Sequence, residues 1–215
     1  MTFSITARCK KTGMLGIAVS TARPAVGGLA VYVKANVGAI ATQAALNPYF
    51  GIDGLKYLEQ GMTAEQVMER VKREDAEYEK RQLAIVDNEG RTAGYTGNDT
   101  VPWAGHYFGD QFVVAGNMLV GEEVVKVMAE TYENSNLDYL PERLLEALHA
   151  GQNAGGDKRG RQSAALHVVD KLDYAIVNIR ADEHPNPVQE LERIYDVCKT
   201  DLFPYIDKLP VYKNR

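Results

Sequence analysis

Thr2 is the first residue with chemistry to offer. It is small enough at the second position for an initiator Met to be trimmed by the ordinary cytoplasmic aminopeptidase, leaving a threonine with a free α-amine. Such an amine has a pKa of about 7.7 to 8.0, so near neutral pH it can accept the proton of the residue's own hydroxyl. One residue then supplies both nucleophile and base. The plain alternative is a penultimate residue with no role. Against it stands the alternation of Phe3, Ile5, Ala7 and Cys9 with Thr2, Ser4, Thr6 and Arg8, which makes Thr2 the start of a strand instead of a frayed tail.

A second group lies in NAGGDKRGRQS, Asn153 to Ser163, where Asp157, Lys158, Arg159 and Arg161 sit among glycines ahead of a strand. Glycines let the backbone approach a ligand, and guanidinium groups grip carboxylates bidentately. The same residues can equally form a solvated connection with local ion pairs. The segment lacks the phosphate-loop spacing, so no nucleotide site is read. Gly116-Asn117, after an apolar run and before a helix, can present N–H groups to a developing oxyanion, or Asn117 can simply cap the turn. Thr42-Gln43 carries the same two readings.

The aromatic stretch offers Trp103 and His106, and the break RADEHPNP offers Asp182 and His184, too few ligands for a metal centre. Ser20 closes the second strand and lines a pocket or merely ends the element. No cofactor and no metal is expected.

These residues depend on a succession of strands and helices. Thr2–Cys9 and Leu15–Ser20 read as an antiparallel hairpin around KKTG, and Val31–Lys34 and Val37–Gln43 as a second. Asn47-Pro48 starts a helix to about Gln60, and the capping box of Thr63 and Gln66 starts another, from Ala64 to about Glu79. Gln82–Val86 and Arg91–Tyr95 flank the turn DNEG. Residues 97–110 read as a long Gly- and aromatic-rich loop before the strand Phe112–Ala115. Helices follow over Gly121–Glu133 and Leu140–Ala150, then strands Ser163–Val169 and Tyr174–Ile179, then a helix Val188–Lys199. Runs of strands separated by helix pairs predict antiparallel sheets with helices outside, not βαβ units.

Composition agrees with a globular chain. The 215 residues are 45% hydrophobic and 25% charged, and the net charge of −5 has the wrong sign for coating nucleic acid. No apolar run approaches the roughly 18 residues that span a bilayer, and no secretion signal precedes the first strand, so a cytoplasmic location is expected. Two cysteines without a secretion signal are expected to be reduced.

Together, the element order and the Thr after Met resemble the N-terminal-nucleophile (Ntn) hydrolase superfamily. Within it, MTFSITARCKKTGMLGIAVST, VGAIATQAALNPYFGIDGL, RQLAIVD, WAGH, GNMLVG, AGGDKRGRQSAAL and IRADEHPNPVQEL are similar, in this order, to an uncharacterised family catalogued as domain of unknown function ten-twenty-eight. The resemblance, which runs from Thr2 to about Arg193, implies an α+β fold, a four-layer αββα sandwich of two antiparallel sheets; the chain itself reads as one such domain over residues 1–182 with a C-terminal helical appendage packed on it at 183–215. It implies amide cleavage by Thr2, with Asp157 and Ser163 near the amine and Gly116-Asn117 on a second approaching loop. The resulting reading is an amidohydrolase acting on a small anionic amide. In it Gln43 and Asn117 serve the oxyanion and Lys158, Arg159 and Arg161 bind a substrate carboxylate. The alternative, which a retained Met1 favours, is a non-catalytic small-molecule binding or scaffolding protein of the same fold. No nucleic-acid or membrane partner is expected, and a homo-oligomer is.

Overall fold

A computed structural model of the protein describes residues 2–211. Ten strands form two antiparallel sheets. The six-stranded sheet has the order β10-β9-β2-β1-β8-β7, built from β1 (Thr2–Arg8), β2 (Leu15–Thr21), β7 (Gly105–Gly109), β8 (Phe112–Asn117), β9 (Ser163–Val169) and β10 (Ala175–Ala181). The four-stranded sheet has the order β3-β4-β5-β6, from β3 (Val31–Lys34), β4 (Gly38–Ala44), β5 (Arg81–Asp87) and β6 (Thr92–Thr96). Helices α1 (Pro48–Glu59) and α2 (Ala64–Glu74) cover the small sheet, while α3 (Glu123–Asn134), α4 (Leu140–Asn153) and α5 (Pro187–Thr200) cover the large one. The sheets face each other, giving the four αββα layers expected from the order of elements.

Strand parity builds these layers. In β1 the odd residues Phe3, Ile5 and Ala7 turn outward into the core beneath α3 and α4, with Met128, Leu144 and Leu148. Complete burial of a side chain such as Phe3 or Ile5 contributes about 2 to 3 kcal/mol. The layer between the sheets is made of smaller side chains, Ala39, Ala41, Ala84 and Ala115 with Ile17, Val86 and Val113. A third core, with Phe50, Val67 and Leu83, lies beneath α1 and α2. Helix α5 adds Val188, Leu191 and Tyr195 to the outer core over the large sheet.

Both predicted helix starts are as expected. Asn47 caps α1 through Tyr49 N, and Thr63 and Gln66 form the capping box of α2. Helix α2 stops at Glu74, short of Glu79, because Asp75 leaves helical geometry and spends its carboxylate on Asn47 and Arg81 instead. Residues 97–110 are not all loop, since β7 pairs with β8 from Gly105 to Gly109. A short helix α6 (Leu202–Ile206) follows α5. No helix among the described residues is long and apolar enough to cross a membrane.

Candidate active site

β1 lies between β2 and β8 in the large sheet, so its first residue is held by pairing on both sides. Thr2 stands opposite Asn117 in the β1–β8 ladder and is 7% exposed. Its hydroxyl lies 3.3 Å from that of Thr21, at the end of β2. Thr21 in turn stands opposite Ser163, the first residue of β9. Asn117, Thr2, Thr21 and Ser163 therefore form a buried polar row across four adjacent strands at one end of the large sheet.

The small sheet completes this polar end. Ser4 donates to Gln43 Oε1 at 2.9 Å, and Gln43 Nε2 donates to Gln82 Oε1 at 2.7 Å. Gln82 Oε1 also accepts from Asn117 Nδ2 at 2.9 Å, while Gln82 Nε2 reaches Thr96 Oγ1 and the carbonyl of Gly116, both at 2.8 Å. Thr96 Oγ1 is 2.9 Å from His106 Nδ1. Buried carboxamides fixed this way hold one orientation, since each lost partner would leave a desolvated polar atom. Burial keeps the His106 imidazole below its ordinary pKa, hence neutral near pH 7.

Thr2 opens onto a cavity of about 440 Å³ between the β2–β3 connection, the end of β4 and the start of α1. Thr21, Gln43, Val26 and Leu46 line it with Arg23. Arg23 is its one titratable lining side chain, exposed and in no ion pair among the described residues. Ala25 and Ala44 in the wall carry left-handed backbone, with φ of 55° and 69°, and Met118, next to Asn117, has φ 53°. Non-glycine residues in this region cost roughly 1 to 3 kcal/mol and cluster at functional sites. Gly116 has a steric reason, because a Cβ there would lie 2.4 Å from the Leu119 side chain.

The glycine-rich segment approaches from the other side of Thr21. Asp157 is buried and accepts from Ala22 N at 2.9 Å, from Arg159 N at 2.9 Å and from an Arg159 guanidinium nitrogen at 3.3 Å. It ties the segment to the residue after Thr21. Ser163 accepts from Val26 N and donates to the Arg23 carbonyl at 2.6 Å, anchoring the cavity wall.

The expected carboxylate binders separate. Arg159 engages Asp157, Lys158 donates to the Pro102 carbonyl, and Arg161 points to Asn186 Oδ1 beside α5. Ser20 lies on the opposite face of β2 from Thr21 and donates to the Ser163 carbonyl, which keeps it away from His106. Trp103 packs against the outer core. Asp182 pairs with Arg180, and His184 Nδ1 accepts from Asn186 N, so the two do not pair with each other. Among the described residues no group of His, Cys, Asp and Glu could hold a metal ion. Met1 lies outside the described residues.

Arg23, Thr21 and Gln82 belong to the candidate site by geometry and were not among the residues expected from the sequence. A signal existed for Gln82. The inward positions of β4 (Ala39, Ala41, Gln43), β5 (Gln82, Ala84, Val86) and β8 (Val113, Ala115, Asn117) each turn from apolar to carboxamide at the end that antiparallel pairing brings together.

A larger groove of about 660 Å³ lies between α4 and α5. Its charged walls are already paired, His149 with Glu192 and Lys199 with Glu142. The Thr2 cavity, with a threonine hydroxyl and the exposed Arg23 cation in its wall, is the better candidate for chemistry.

The model of a family of unknown function (DUF1028) matches residues 2–191. Among solved structures, protein SPO2555 from Silicibacter pomeroyi, a DUF1028 protein, is similar at TM-score 0.90 and 33% identity over 98% of this chain and 95% of that one. Anbu (ancestral beta-subunit) from Yersinia bercovieri is similar at TM-score 0.44 and 11% identity over 98% of this chain and 99% of that one. No curated protein matches the chain.

Proposed function

Since the chain belongs to the DUF1028 family of unknown function, whose description assigns no reaction, we propose from the Thr2 cavity that it is an Ntn-type amidohydrolase cleaving a small anionic amide. The observation that carries this reading is Thr2 itself, a buried threonine held by β-pairing at the head of a central strand, with its hydroxyl at a cavity of about 440 Å³. Cleavage of the chain before Thr2 frees the α-amine. That amine takes the hydroxyl proton as Oγ1 attacks the amide carbon. The oxyanion that forms is held by N–H groups beside Gln43 and Asn117. The C–N bond then breaks, the leaving amine takes the proton back, and water hydrolyses the Thr2 ester to a carboxylic acid and the free enzyme.

Arg23 supports an anionic substrate, since its guanidinium lines the cavity without an ion-pair partner among the described residues. Asp157 acts at one remove, through Ala22 and Arg159. The test begins with intact mass and N-terminal sequencing, where a start at Thr2 is expected. Protein so processed is then screened against small amides bearing a carboxylate. Thr2→Ala is expected to lower turnover about 10⁴-fold or more while folding is kept. Activity undiminished in Thr2→Ala overturns the reading, and a chain that retains Met1 turns the cavity into a binding site.

A further inference from the structure

β1 ends at Arg8, about 20 Å from Thr2 at the rise of an extended strand. There a second cavity of about 390 Å³ opens, bounded by Arg8–Lys11, the β7–β8 turn, the end of α3 and the start of α4. It shares no lining residue with the Thr2 cavity. Its walls carry Arg8, Lys10, Lys11 and Arg143 against Asp110, Glu133 and Asp138. Lys10 pairs with Asp110 and Lys11 with Asp138. That leaves both guanidinium groups without a carboxylate partner among the described residues.

The unusual feature is the polar atoms left over. Tyr132 is 3% exposed and its Oη is buried with no hydrogen-bond partner, as are Arg8 Nε and Arg143 Nε. A buried hydroxyl and two buried guanidinium N–H groups without acceptors cost stability, and native proteins rarely leave such groups together. All three donors lack the same thing, an acceptor. The rest of each side chain is held in place. Arg8 donates to Gln111 Oε1 at 2.7 Å, Arg143 donates to the Tyr132 carbonyl at 2.9 Å and lies 4.1 Å over its ring, and Tyr132 packs on Phe112.

Cys9 shares the cavity wall. Burial pushes its thiol pKa up, but hydrogen bonds from Thr12 and the backbone of Thr12 and Lys11, with the Arg143 charge, outweigh that and hold it below the ordinary thiol range. The surroundings thus favour negative charge.

We propose that this cavity is a binding site for a small oxyanion, a phosphate or carboxylate group, received by Arg8 and Arg143 with Tyr132 Oη as a third donor. Arg143 is partly exposed, lies across the Tyr132 ring and lines the cavity beside it. The site is independent of any reaction at Thr2.

The test titrates the full chain with inorganic phosphate and, separately, with succinate, at ionic strength matched with chloride, reading thermal stability and calorimetric binding. Wild type is expected to gain stability with at least one of them, and which arm responds distinguishes a phosphate from a carboxylate ligand. Tyr132→Phe removes only the oxygen and keeps the ring against Phe112. Without anion it is expected to be as stable as wild type or more so, and to bind the responding anion about tenfold more weakly. Arg143→Lys is expected to weaken binding further. No stabilisation beyond chloride in either arm overturns the proposal, as does equal binding by wild type and Tyr132→Phe.

Discussion

Gln82 and Asn117 come from different sheets and meet at 2.9 Å, the carboxamide of Asn117 donating to an oxygen that Gln43 also uses. Through that oxygen the residue opposite Thr2 is fixed to the small sheet. The relative placement of the two sheets at the polar end is thus set by hydrogen bonds in defined directions, whereas the Ala-rich layer beyond it is held by non-directional apolar packing.

Replacing this junction has a definite cost. Gln82→Leu keeps the volume but strands Gln43 Nε2, Asn117 Nδ2 and the Gly116 carbonyl. A loss of about 3 kcal/mol or more is expected in urea denaturation, with the slope unchanged. A variant within 0.5 kcal/mol of wild type would show that the network rearranges freely.

Arg23 separates recognition from folding. Arg23→Met removes an exposed cation that holds no other part of the described protein through its side chain. The midpoint of thermal unfolding is expected to stay within about 1 °C, as for surface changes outside structural networks. Affinity for carboxylate-bearing ligands of the Thr2 cavity is expected to fall about tenfold or more, with less dependence on salt. Equal affinity would move the anion contact elsewhere.

Two histidines are expected to contribute to the acid limb of stability. Burial lowers the His106 pKa and pushes His167, on β9, down to about 4. A histidine whose folded pKa lies below its unfolded value near 6.5 binds more protons when unfolded. Its contribution is complete above pH 6.5 and is lost as the pH falls toward 4. For His167 this is on the order of 3 kcal/mol. His167→Gln is expected to flatten the stability profile between pH 6.5 and 4, measured by chemical denaturation at successive pH values, and an unchanged slope would assign the acid limb to other groups.

The wall of the Thr2 cavity stores backbone strain. At Ala44, with φ 69°, glycine relieves the left-handed penalty, and Ala44→Gly is expected to raise stability by up to about 1 kcal/mol. The variant should still bind ligands of the cavity, but less tightly, because the wall beside Gln43 is looser. Destabilisation by more than 1 kcal/mol would mean that the Ala44 methyl packs well enough to outweigh the strain.

The elements were legible wherever a local signal was strong. The first hairpin, both cappings and β9 follow from alternation, Asn-Pro and the Thr63–Gln66 pair, all of which act within a few residues. β7 was hidden because it is a short edge strand with exposed Tyr107 and Phe108, stabilised by pairing with β8 and not by a pattern of its own. The site divided in the same way. Thr2 was visible because its candidacy rests on its position and residue type alone, both of which are read directly from the chain. Arg159 and Arg161 read as one cluster, yet a two-residue step sends one to Asp157 and the other to Asn186. Arg23 was invisible for the converse reason, being brought to Thr2 only when β1 and β2 pair.

The central place of β1 also orders events in time. β1 can be enclosed only after β8, more than a hundred residues later in the chain, has been synthesised, so its pairing is strongly non-local. Once enclosed, Thr2 is reached only through its cavity. Until then the apolar face of β1 that later packs beneath α3 and α4 stays uncovered, which makes the strand at the centre of the large sheet the segment most open to misassembly during synthesis.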